Sequence, residues 1–119
     1  MKICFVSGHL DLTHEEFKEH YNEKLVKAVD DGCGFVVGDC IGADSLAQIF
    51  FKDKKVINVK VFHMFENPRN YFCNAEKVGG FKSDKERDMS MTNASDFDIA
   101  WVRPGREKSG TAKNLRRRK

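Results

Sequence analysis

Residues 38–48 read Gly-Asp-Cys-Ile-Gly-Ala-Asp-Ser-Leu-Ala-Gln, directly after the apolar run Phe35-Val36-Val37. Gly38, Asp39, Gly42 and Asp44 fall within seven positions. The apolar run reads as a short buried strand, and residues 44–52 read as a helix carrying Leu46, Ala47, Ile49, Phe50 and Phe51. No Gly-Lys-Ser/Thr follows, so the loop is not a P-loop. It is a glycine-rich turn from a strand into a helix, with Asp44 as an N-cap or a site residue.

The same unit repeats on either side. Residues 2–7 form a first strand that ends in Ser7-Gly8-His9. A helix then opens at Thr13, whose partner Glu16 makes a capping box, with Leu12 placed to staple against Phe17. Phe17, Tyr21, Leu25, Ala28 and Val29 share one face of that helix, and Asp31-Gly32 ends it. Residues 56–63 form a third strand, with Ile57, Val59, Val61 and His63 on one face. Residues 64–81, which hold Pro68, Gly79-Gly80 and several aromatics, are the least regular part of the chain. A further helix starts at Ser83 with Glu86 in capping-box position, and residues 97–102 form a strand broken by Pro104-Gly105. Ser109-Gly110-Thr111 caps a last helix. Trp101 is assigned to the core.

This alternation predicts one α/β domain: a Rossmann-like parallel sheet of about four to five strands with helices on both faces. Ligands of such sheets bind beyond the carboxyl ends of the strands. Ser7-Gly8-His9, the segment from Gly38 to Asp44 and the loop ending in Ser109-Gly110-Thr111 are therefore expected at one crevice. Helix N-termini there favour an anion such as phosphate.

Composition narrows the classes. The chain has 119 residues, 40% apolar and 33% charged, and no apolar run reaches the roughly 20 residues of a membrane span. The opening MKICFVSG is too brief for a signal peptide, so a cytoplasmic protein is expected. Cys4, Cys33, Cys40 and Cys73 form no CxxC pair and read as reduced thiols. The histidines show no metal spacing, and neither a metal nor another cofactor is expected. The net charge of +3 is owed to Arg116-Arg117-Arg118-Lys119. The rest of the chain is near neutral, so nucleic acid is not the expected partner, and the basic run reads as a solvated helix end.

Taken together, Ser7-Gly8-His9, Gly38-Asp39-x-x-Gly42-Ala43-Asp44, Glu86-Arg87-Asp88, Asp96-Phe97-Asp98-Ile99-Ala100 and Ser109-Gly110-Thr111 resemble the SLOG superfamily. That group includes the DprA and LOG (lonely guy) proteins and the small YspA-like domains. It is close in architecture to nucleoside 2-deoxyribosyltransferases and 2′-deoxynucleoside 5′-phosphate N-hydrolases. The resemblance implies a small-molecule partner, a nucleotide, nucleoside phosphate or related ribosyl compound, and a homodimer. It implies cleavage or transfer at the N-glycosidic bond as one use of the site. A non-catalytic nucleotide sensor is the alternative.

By the same resemblance, Asp88 contacts the sugar and is the first candidate for a catalytic residue. Ser7, Gly8, His9, Gly38, Asp39, Gly42, Ala43, Asp44, Arg87, Ser109, Gly110, Thr111 and Asn114 are the expected ligand contacts, with Arg87 on phosphate. The chain departs from the pattern at Asn114, which stands where these families carry a glutamate. An amide can be neither a carboxylate nucleophile nor a general base. Asp39, Asp44, Asp88, Asp96 and Glu107 remain as possible sources of a carboxylate.

Overall fold

The computed structural model describes residues 1–118. Five strands, β1 (Ile3–Val6), β2 (Gly34–Val37), β3 (Val59–Met64), β4 (Glu76–Phe81) and β5 (Phe97–Ile99), pair in parallel in the order β4-β3-β2-β1-β5. The chain steps outward from β1 to β4 and then returns to the far side of β1. Four helices complete the Rossmann-like domain. The first, α1, runs through His14–Phe17, a π-helical turn at Lys18–Asn22, and Glu23–Asp30; α2 is Ala43–Asp53, α3 is Asp84–Asn93 and α4 is Gly110–Arg117.

Strand alternation sorts the core into two layers. Cys4, Val6, Phe35, Val37, Val59 and Val61 pack under α1 and α2 with Tyr21, Leu25, Ala47 and Phe51. Phe5, Val36 and Phe62 face the other way and meet Met91 of α3; α4 packs on α3. Each helix start follows its local signal. Thr13 and Glu16 form the reciprocal capping box, Ser83 Oγ accepts from Glu86 N–H (3.1 Å), and Ser109 Oγ accepts from Ala112 N–H (3.2 Å). Gly32, at φ +78°, carries the chain out of α1.

Element boundaries differ from those read in the sequence at several places. β3 begins at Val59 rather than residue 56, and Ile57 lies outside it, exposed to solvent. Residues 64–81 contain a strand: β4 pairs with β3 through Lys60–Glu76, Val61–Lys77 and Phe62–Val78. It is an edge strand, mostly exposed on both faces, so it lacks the apolar alternation that marks a half-buried one. β5 stops at Ile99, because the backbone N–H of Trp101 goes to the hydroxyl of Tyr21 (3.1 Å) instead of a ladder. Trp101 itself is half-buried: it packs against the edge of the core and stacks on His20 (ring centroids 3.9 Å apart). Finally, α2 begins at Ala43 with Gly42 as its N-cap, so Asp44 lies inside the first turn and is not the cap.

The C-terminal arginines fold back onto the protein. Arg118 spans both oxygens of Asp98 (3.0 and 3.1 Å) and also donates to the carbonyls of Thr92 (3.2 Å) and Ser95 (2.8 Å) behind α3. Arg117 donates to Asn114 Oδ1, and Arg116 to the Glu107 carbonyl. Lys119 lies outside the described residues. A solvated basic end, as read from the sequence, does not describe Arg118: it is a clamp between α3, β5 and α4.

Candidate functional site

A cleft of roughly 690 Å³ opens at the carboxyl edge of the sheet, on the α3 side, between the loops after β1 and β2 and the N-termini of α3 and α4. Phe5 and Met91 supply its apolar floor. Of the residues expected at a ligand, Ser7, Gly8, His9, Asp44, Arg87, Asp88, Ser109, Gly110, Thr111 and Asn114 line it. Gly38, Asp39, Gly42 and Ala43 do not; they lie behind its wall and shape it.

Gly42 shows how. At φ +75° and ψ −126° it occupies backbone space closed to other residues, and a Cβ there would lie 2.3 Å from the Leu10 carbonyl oxygen. The loop after β1 packs directly on the start of α2, and Ala43 N–H donates to the His9 carbonyl (3.1 Å). The glycine therefore serves contact between two loops rather than approach of a ligand. Gly8 likewise backs onto the side chains of Ala43 and Tyr21.

Asp39 has no exposed surface. Arg69 grips both its oxygens (2.8 and 3.1 Å) and adds a backbone N–H bond (2.9 Å), while Arg87 Nη1 reaches Oδ1 at 2.8 Å. Burial alone would raise the pKa of this carboxyl, but the Arg69 and Arg87 contacts hold it down at about 2. Asp39 is thus the anchor of two arginines. Gln48, also fully buried, adds a second anchor: its amide donates to the carbonyls of Gly38 (3.0 Å) and Asn70 (3.1 Å) and accepts from Phe72 N–H (2.9 Å). Together they bind the segment after β3 to the end of β2 and put Arg69 and Asn70 on the cleft wall. Neither was legible as a site residue, because Arg69 lies 30 positions from Asp39 in an irregular stretch.

Arg87 is almost wholly buried and already committed to protein. Besides Asp39 it holds Asp88 Oδ1 through Nη2 (2.9 Å) and Nε (3.2 Å), and Asp84 lies 3.3 Å from Nη1. The expected phosphate contact at Arg87 therefore has no open guanidinium edge of this kind to use; the residue orients carboxylates. Asn114 completes the arrangement, its Nδ2 donating to Asp88 Oδ2 (3.2 Å). Both oxygens of Asp88 are held, and the carboxylate faces the cleft. The amide at 114 acts on Asp88, where a glutamate would set two carboxylates against each other.

Three arginines (Arg69, Arg87, Arg106) and four aspartates (Asp11, Asp44, Asp84, Asp88) line the cleft, so it carries no excess of positive charge. Places that favour an anion are the N-terminal N–H groups of α4 and Arg106, which is half-exposed and pairs with Asp11 at 2.8 Å. His9 is buried, and its Nε2 accepts from Arg103 N–H (2.8 Å), which places the proton of the neutral ring on Nδ1. Burial and the nearby Arg103 and Arg106 lower its pKa. Ser7 Oγ is buried and has no hydrogen-bond partner among the described residues. It shares strand parity with Phe5 and so projects on the cleft side of the sheet.

The chain matches no protein-family model, no curated protein and no solved structure.

Proposed function

We propose that the chain binds a nucleoside or nucleoside 5′-phosphate in this cleft and breaks its N-glycosidic bond. One observation carries the reading: Asp88 is a carboxylate fixed at the cleft by three N–H bonds, from Arg87 Nε, Arg87 Nη2 and Asn114 Nδ2. Breaking an N-glycosidic bond builds positive charge on the sugar ring. A carboxylate fixed beforehand stabilises that charge without reorganising. The unpartnered hydroxyl of Ser7 provides a polar contact for a sugar hydroxyl, and a 5′-phosphate fits the N-terminus of α4 beside Arg106. The resemblance to the SLOG group points to the same ligand class.

A second reading, binding without turnover, is favoured by Asn114, which leaves Asp88 without the neighbouring acid of the related families. Chromatography separates the two. With adenosine, 2′-deoxyadenosine and their 5′-phosphates, the first reading expects free adenine to accumulate, together with a rise in melting temperature. A rise without adenine selects the second. No thermal shift and no free base with these compounds or any other purine or pyrimidine counterpart would exclude both.

A further inference from the structure

Five aspartates lie in or directly behind the cleft, and four of them are paired with arginine. Asp11 has Arg103 and Arg106, Asp39 has Arg69 and Arg87, Asp84 has Arg69, and Asp88 has Arg87. Asp44 is the exception: among the described residues no basic group lies within 4.0 Å of it. It is also buried, at 8% exposure, and lines the cleft. Its Oδ2 accepts one bond, from Cys40 N–H at 3.1 Å.

The carboxyl reaches this place because residue 38 has no side chain. A Cβ on Gly38 would lie 2.5 Å from Asp44 Oδ2 and 3.1 Å from Arg87 Cζ. The charged and titratable groups around it are Arg87 and Asp88 from α3, Asp39 and Cys40 from the segment after β2, and Tyr21 from α1. Arg87 attracts the carboxylate form but is shared among Asp39, Asp84 and Asp88, and two of the remaining neighbours are themselves carboxylates. Burial outweighs the arginine and pushes the Asp44 carboxyl up to about 7. A protonated carboxyl carries an O–H donor, and the one hydrogen bond Asp44 makes among the described residues is the one it accepts from Cys40.

We infer that Asp44 is the proton donor of the cleft, giving its proton to the base nitrogen that leaves the sugar. This rests on the function proposed above. As the C1′–N bond breaks, its electron pair passes to the base nitrogen, which takes the proton from Asp44. Water then forms the C1′–O bond and returns a proton to the Asp44 carboxylate. One water is added across the bond, and Asp88 is unchanged at the end of the cycle.

Two measurements test the assignment. The first compares adenosine or its 5′-phosphate with 4-nitrophenyl β-D-ribofuranoside, whose leaving group needs no proton. Asp44→Asn is expected to slow adenine release by about 100- to 10,000-fold while keeping nitrophenol release within about tenfold of the unaltered protein. The fall in adenine release above pH ~7 should disappear in the variant. Equal losses on both substrates, with that alkaline fall retained, would overturn the assignment.

The second needs no activity. Between the unfolded value of 3.8 and about 7, the folded chain keeps a proton that the unfolded chain has lost. Stability therefore decreases as pH rises through that interval. The melting temperature of the unaltered protein should fall across it more steeply than that of Asp44→Asn. Identical profiles would overturn the assignment even if adenine is released. Conversely, absence of adenine release with a steeper wild-type profile would remove the enzymatic reading and the donor role, but not the proton on Asp44.

Discussion

Asp39→Ala is expected to destabilise the fold by about 3–5 kcal/mol in urea unfolding, the usual cost of removing one partner from a buried ion pair. Asp39 has no exposed surface, and Arg87 is 4% exposed. With the carboxylate gone, Arg87 keeps Asp88 and Asp84, but its Nη1 loses the 2.8 Å bond to Asp39. Arg69 loses all three of its bonds to the Asp39 carboxylate, two from the guanidinium and one from the backbone N–H, and its guanidinium keeps Asp84. Gln48 and the bond from Asn70 Nδ2 to the residue 39 carbonyl (3.0 Å) then hold the segment after β3 with fewer ties, so that segment should exchange its amide protons faster than the rest of the sheet. The pH dependence has a definite sign. Asp39 titrates at 3.8 in the unfolded chain and at about 2 in the fold. Its contribution is complete above 3.8 and is lost as pH falls through about 2. The variant should lack that part of the acid limb.

Asp88→Asn should lower adenine release by about 100- to 1000-fold, the range for removal of one preorganised electrostatic contact to a transition state. The effect should appear in kcat rather than KM, since the charge it meets develops only as the bond breaks. The substitution also replaces an acceptor with an amide opposite Arg87 and Asn114, so it disturbs the two groups that hold it. Asn114→Ala provides the control for this. It removes the 3.2 Å bond to Asp88 Oδ2 and the acceptor of Arg117 but leaves the Asp88 carboxylate on Arg87, and its effect on kcat should be smaller than that of Asp88→Asn. If the two variants were equally impaired in binding and unimpaired in kcat, Asp88 would be a structural acid only.

Local signals in the sequence translated directly into structure. The caps at Thr13, Ser83 and Ser109 depend on residues three positions apart and all three form, although only Thr13 and Glu16 make the reciprocal box; at Ser83 the hydroxyl caps Glu86 N–H without a return bond. The parallel sheet followed from apolar runs punctuated by Gly8, Gly38 and the Pro104-Gly105 break. β4 was not legible, because Glu76-Lys77-Val78-Gly79-Gly80-Phe81 has neither alternation nor an apolar face. It is a strand through its pairing with β3. The site was half legible. The glycines after β1 and β2 mark where loops crowd one another, which looks the same in sequence as a loop made for phosphate. The role of Asp39 depends on Arg69 and Arg87, 30 and 48 positions away, and no local pattern links them. Arg87 was found by motif and misplaced in role, since its guanidinium is filled by carboxylates of its own chain.

Whether a ribosyl ligand occupies the cleft above β1 is tested most directly by amide chemical shifts of the labelled protein, followed during titration with adenosine and with adenosine 5′-phosphate. The largest changes should fall at Ser7, Gly8, Cys40 and Asp88, with Gly110 and Thr111 responding further when the phosphate is present. Saturating changes elsewhere, with these six amides unmoved, would contradict it, as would no change at millimolar concentrations of either compound.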